Sequence, residues 1–141
     1  MMQPTNMIAV LVAAVAAWIF GAVYYTLFSK TWVAARGETM ESLKAKMAGK
    51  SAVAKAAPFL ISFIAEIVMA AALQGILFHS AMNSMRQGII AGALIWLGFI
   101  VTTIGVNNAY QGARCKLTLV DLGHWLGVML IIGAVIGGMG L

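Results

Sequence analysis

The chain has 141 residues, of which 62% are hydrophobic and only 9% charged, with a formal net charge of +5. A soluble domain needs about a quarter of its residues charged to cover its surface, so an ordinary water-soluble globule is excluded and lipid is the expected solvent. A basic chain usually suggests nucleic acid, but here the basic residues crowd into loops between apolar runs, so no nucleic-acid partner is expected.

A helix needs about 20 apolar residues to cross the hydrocarbon core. Four stretches qualify, at residues 7–28, 58–78, 88–106 and 117–140. None alternates in polarity as a barrel strand would. The expected fold is therefore an all-α membrane protein, a single domain built as a bundle of four transmembrane helices. A short interfacial amphipathic helix is expected between spans one and two.

The first span follows a tail without Lys or Arg and is too long for a cleaved leader, so it should remain in the mature protein. Ala9, Ala13, Ala17 and Gly21 recur every fourth residue and offer one face to a close helix neighbour. Tyr24, Tyr25, Phe28 and Trp32 gather at its far end and read as an aromatic belt at the headgroup boundary.

The loop at 29–57 is the one long polar segment. Met40, Leu43 and Met47 recur at helical spacing, with Lys44, Lys46 and Lys50 mostly on other faces, as in a helix lying on the inner membrane surface. Gly49 is a plausible stop, and Pro58 a plausible first-turn residue of span two.

Span three carries Gly88, Gly92, Gly98 and Gly105. Span four carries Gly123 and Gly127, then Gly133 and Gly137, two GxxxG spacings that suit tight contacts within one chain or between copies. At an offset of 78, Trp18 matches Trp96 and Arg36 matches Arg114, as distant copies of one hairpin would.

Lys30, Arg36, Lys44, Lys46, Lys50 and Lys55 lie between spans one and two, and Arg114 and Lys116 between three and four; only Arg86 lies in the opposite loop. This asymmetry makes both basic loops cytoplasmic and both termini external. The expected location is the bacterial inner membrane, multi-pass, with the lipid bilayer as first partner. Cys115, the single cysteine, falls in a cytoplasmic loop and is expected to be a free thiol.

The stretch Trp18-Ile-Phe-Gly-Ala-Val-Tyr-Tyr-Thr-Leu-Phe-Ser-Lys-Thr-Trp-Val resembles the opening of a bacterial family of small four-span inner-membrane proteins classed as a domain of unknown function. The shared pattern is Trp-x-x-Gly-x-x-x-Tyr followed by Phe-x-Lys-x-Trp. Asp121-Leu-Gly-His-Trp-Leu-Gly resembles that family's last helix. The resemblance implies architecture, transfers no catalytic residue, and directs attention to Trp18, Gly21, Tyr25, Phe28, Lys30, Trp32 and Asp121.

Glu66, Asp121 and His124 fall inside the apolar spans, where an ionised carboxylate at the bilayer centre costs about 2.5–3.5 kcal/mol. At a rise of about 1.5 Å per residue, Glu66 lies ~12 Å, Asp121 ~6 Å and His124 ~10 Å from the cytoplasmic ends of their spans. Tyr24, Thr103 and Asn107 fall in the same half. These residues are expected to form a polar cluster centred on Glu66 and His124.

Three roles compete for that cluster: mutual satisfaction that locks helix register, a proton or cation pathway, or a metal site. Asp121 and His124 alone supply too few ligands for the third, and no metal or cofactor is expected. No nucleophile elbow, phosphate loop, dinucleotide fingerprint or zinc-protease motif is present. The expected function is non-enzymatic, as a homo-oligomer or an accessory subunit of a membrane assembly. Its alternative is a proton- or cation-coupled transporter of a small solute using Glu66, Asp121 and His124. Packing is expected to rest on Ala13, Ala17, Gly21, Gly123, Gly127, Gly133 and Gly137.

Overall fold

Asn6 starts the first helix by accepting a hydrogen bond from the Ala9 amide, which satisfies one free amide of the opening turn. In the computed structural model, which describes residues 5–140, this helix, α1, runs Met7–Leu27. The described residues are all-α, and four helical stretches are long and apolar enough to cross a membrane: Met7–Leu27, Ala52–His79, Met85–Tyr110 and Cys115–Met139. The expected four-span fold is present.

The loop at 29–57 holds more helix than expected. α2 spans Ser29–Ala35 and α3 spans Met40–Ala48, separated by a turn in which Gly37 takes a φ of +75°. α3 is the expected amphipathic helix, with Leu43 and Met47 half-buried and Lys44 exposed. Thr39 and Ser42 form a reciprocal capping box at its start, and Gly49 ends it as expected.

The second span, α4, runs Ala52–His79, with Ser51 accepting from the Ala54 amide as its cap. Its expected start at Pro58 is corrected: Pro58 lies inside the helix, beyond the first turn. Lacking an N–H, Pro58 leaves the Ala54 carbonyl without its usual helical donor. The third span is α5 (Met85–Ile95), a π-helical stretch (Trp96–Val101) and α6 (Thr102–Tyr110), longer at both ends than the apolar run suggested.

The fourth span, α7 (Cys115–Met139), is the hub on which α1, α4 and α5 pack. Glycine makes this possible. A Cβ at Gly88 would overlap the Gly133 carbonyl, one at Gly92 would overlap that of Met129, and one at Gly137 that of Ser84. On the opposite side Gly127 lies under the Phe20 ring, Gly123 under the Tyr24 hydroxyl, and Gly21 under His124. Ala13 and Ala17 are fully buried in the same seam. All of the expected packing residues therefore act within one chain.

The core runs along α7 through Val128, Ile132 and Ile136, with Leu73 and Leu77 of α4 and Ala9, Ala13 and Ala17 of α1 against it. The long apolar residues facing outward, such as Ile8, Ile64, Leu94 and Phe99, form the surface that lipid would solvate.

Candidate ligand-binding cavity

At the basic end of the bundle, aromatic residues at the end of α1 meet the polar half of α7. The Tyr24 hydroxyl donates to the Val120 carbonyl and the Tyr25 hydroxyl to Oδ1 of Asp121, both at 2.7 Å. The Tyr25 ring lies 4.7 Å from the imidazole of His124. Asp121 and His124 do share one helix face, as their spacing predicts. Tyr25, expected at the headgroup boundary, is half-buried and holds Asp121.

His124 is 5% exposed, and its Nδ1 is buried without a hydrogen-bond partner. Its ring is stacked with Phe20 at 6.2 Å and edge-on to Trp125 at 4.8 Å. A Cβ at Gly21 would come within 2.8 Å of Nε2, so glycine there makes room for the imidazole.

Trp32 of α2 stands 6.0 Å from Tyr25, with the Arg36 guanidinium 4.5 Å above its own ring. Trp18 donates its indole N–H to the Phe59 carbonyl of α4 at 3.1 Å. Trp96, its counterpart at the offset of 78, likewise donates to the next span, at Leu122, over 2.9 Å.

These elements enclose a cavity of about 620 Å³. Trp18, Gly21, Ala22, Tyr25 and Thr26 of α1 form one wall, and Pro58, Phe59 and Ser62 of α4 another. Ser29, Trp32 and Val33 of α2 with Met40 and Leu43 of α3 form the roof, and His124 closes the inner end. That volume is of the size that takes a drug-sized ligand.

Glu66 is 0% exposed, and neither carboxylate oxygen has a hydrogen-bond partner. It belongs to a stripe of α4, Pro58, Ser62, Glu66, Ala70 and Gln74, spaced four apart. Gln74 at the far end donates to the Asn6 carbonyl at 3.3 Å. The pairing of Phe59 with Trp18 and of Gln74 with Asn6 sets Glu66 level with the alanines of α1 near Ala13. His124 is level with Gly21, which puts it roughly 12 Å along the bundle axis from Glu66 at 1.5 Å per residue. Glu66 thus lies beyond the cavity, a turn past Ser62, with no hydrogen bond to Asp121 or His124.

Two other expected members of the cluster are corrected. Thr103 and Asn107 are exposed on α6 instead of buried in a cluster. The polar contact at that level is between Asn108 and Thr118 at 3.0 Å. Among the described residues, no three His, Cys, Asp or Glu side chains converge as a metal site. Among the expected interface lysines, Lys44 and Lys50 are exposed, while Lys46 pairs with Glu38.

The family model for "Protein of unknown function (DUF1761)" matches residues 8–137. The chain belongs to the DUF1761 family. Membership bears out the resemblance to a family of unknown function, and the match takes in all four spans. No curated protein and no solved structure matches the chain. The cavity of this DUF1761 member was not foreseen from its sequence, although Ser62, a polar residue in an apolar stretch of α4, was the signal that could have marked its wall.

The pairing of Lys46 on α3 with Glu38 in the preceding turn has a pH dependence. Glu38 lies outside the spans, and the Lys46 hydrogen bond holds its carboxyl below the ordinary value of 4.5. The stabilisation from this contact is therefore complete above that value and lost as pH falls through the lowered one. A spin label on α3 should gain mobility at acidic pH, and Glu38→Gln should show that mobility at neutral pH.

Proposed function

We propose that the chain is a non-enzymatic membrane protein that holds a small amphiphilic molecule in this cavity, working as a homo-oligomer or as an accessory subunit of a membrane assembly. The observation that carries the reading is a ligand-sized, aromatic-walled cavity closed at its inner end by the imidazole of His124. The oligomer is supported by Gly98 and Gly105, which have open space where a Cβ would be and sit on the sparsely covered third span.

The test is titration of single-chain amphiphiles with neutral, anionic and cationic heads into the protein in lipid nanodiscs. At least one head class should change the tryptophan fluorescence saturably, and Ser62→Phe, which fills the cavity from its α4 wall, should abolish the change. Absence of saturable binding by every class overturns the reading.

The proposed setting is the bacterial inner membrane, with both termini outside and the basic loops in the cytoplasm. Cys115 is exposed at the start of α7 and supplies a native probe of that orientation. In intact cells a membrane-impermeant maleimide should leave Cys115 unmodified, and in inverted vesicles it should label it fully. The reverse pattern would invert the topology.

A second reading is favoured by one observation of its own. The unpartnered carboxylate of Glu66, on the stripe from Ser62 to Gln74, suits a proton- or cation-coupled transporter of a small solute. Ionisable groups held inside membrane spans commonly mark such pathways.

A further inference from the structure

The walls of the cavity restrict what can fill it. None of its lining residues is Asp, Glu, Lys or Arg. The Asp121 carboxylate accepts from Tyr25, and the lysines of α3 lie on that helix's exposed side. An ionised head placed inside would lose its hydration and meet no charged side chain in the lining, the Arg36 guanidinium being engaged over the Trp32 ring. Phosphate, carboxylate and ammonium heads are all disfavoured on that ground.

The polar groups that remain are few. Thr26 already donates to the Ala22 carbonyl at 2.7 Å, and the Tyr25 hydroxyl is committed to Asp121. Ser29, Ser62, His124 and the Trp32 indole N–H are left to meet a ligand, and they suit an uncharged oxygen that accepts or donates one or two hydrogen bonds. Around them stand the rings of Trp18, Tyr25, Trp32 and Phe59. Four aromatic side chains about a short polar patch suit a planar ring, which they can meet in stacked or edge-on contact.

The way in is also defined. Ala22 and Thr26 on α1, and Pro58 and Phe59 on α4, are exposed on the outer flank of the bundle, Phe59 by 60%. The gap between α1 and α4 therefore faces the lipid, while Val33 of α2 and Leu43 of α3 roof the end of the cavity nearest water. A ligand reaching His124 by that gap comes from the membrane, with an apolar tail that can remain among the acyl chains.

From these features we infer that the cavity binds a neutral ring-headed lipid, a quinone or phenol bearing an apolar tail, which enters between α1 and α4 and sets a ring oxygen against His124. This rests on the reading of the cavity as an amphiphile site and narrows its ligand class.

The test uses the full-length chain in nanodiscs with three probes of equal chain length: a decyl-substituted benzoquinone, decanoate and decyltrimethylammonium. Binding is read as a shift in melting temperature across a concentration series. The benzoquinone should bind saturably and the two ions should not. His124→Phe keeps the ring packing and removes both nitrogens, and should weaken benzoquinone binding about tenfold, the scale of one lost hydrogen bond.

If His124→Phe does not yield a monodisperse protein, Ser62→Phe supplies the comparison and should abolish benzoquinone binding. Saturable binding of decanoate or the alkylammonium at equal strength would overturn the ring-headed class and leave the amphiphile site standing. Failure of all three probes to bind a folded protein would remove both readings. Benzoquinone binding unchanged by His124→Phe and by Ser62→Phe would place the ligand elsewhere and overturn the inference.

Discussion

Gly133→Leu is expected to destroy the folded bundle, and Gly133→Ala to weaken it severely. Inserting side-chain atoms into a packed core costs typically about 1–3 kcal/mol, and here the obstacle is stiffer than a side chain. The first added carbon would overlap the backbone carbonyl of Gly88, so no rotamer relieves it and two helices must separate. Gly88→Ala should have the same effect from the other side of the seam. The control is Gly75→Ala: nothing stands within 4 Å of a Cβ there, and exchanging glycine for alanine in a helix gains about 1 kcal/mol. Melting of the purified proteins in detergent should thus move in opposite directions for the two substitutions. Equal responses would mean that the contact between α5 and α7 is looser than described.

The second large effect concerns Glu66, where the expected result is a more stable protein. Glu66→Met replaces a carboxylate with no hydrogen-bond partner by an apolar side chain of similar length. Removing a buried unsatisfied polar group should stabilise the fold by about 1–3 kcal/mol. A stabilised variant would show that the carboxylate is not there to hold the helices together. Glu66→Gln completes the experiment. If abundance and oligomer size are unchanged while a pH-dependent flux in proteoliposomes is lost, the transporter reading is favoured. If Glu66→Met lowers the melting temperature, the carboxylate has a structural partner and the proposed liability is wrong.

The four spans were legible because the signal for crossing lipid is crude and strong: run length and apolarity, both of which survive an error of several residues. The ends were less legible. Ser51 and Lys55 look like loop residues in an apolar window, yet Ser51 caps α4 and Lys55 lies in its first turn. Pro58 therefore sits inside the helix instead of opening it. α2 went unseen because seven residues, Ser29–Ala35, are too short to show a period.

At the site, Asp121 and His124 could be paired from their spacing alone. The role of Tyr25 could not, because an aromatic ring near a boundary has the same sequence pattern in lipid or against a carboxylate. Depths counted along separate spans put Glu66 beside His124, but adjacent helices are offset along their axes, and only contacts such as Trp18 with Phe59 reveal by how much. Thr103 and Asn107 were misplaced for a different reason. They were placed by depth alone, which leaves the facing of a side chain open, and the π-helical turn at Trp96–Val101 just before them shifts the register of the residues that follow.

The position of α7 as hub has a consequence for biosynthesis. Of the four spans, it is the last to leave the ribosome, yet the seams with α1 and α5 both run along it. During translation α1 and α4 can pair, but α5 has little to rest against until its successor is inserted. The Gly88 and Gly92 backbone therefore waits, uncovered, in the lipid. Translation stalled before Cys115 should leave nascent chains that insertases or quality-control proteases can engage, and completion of α7 should end that window.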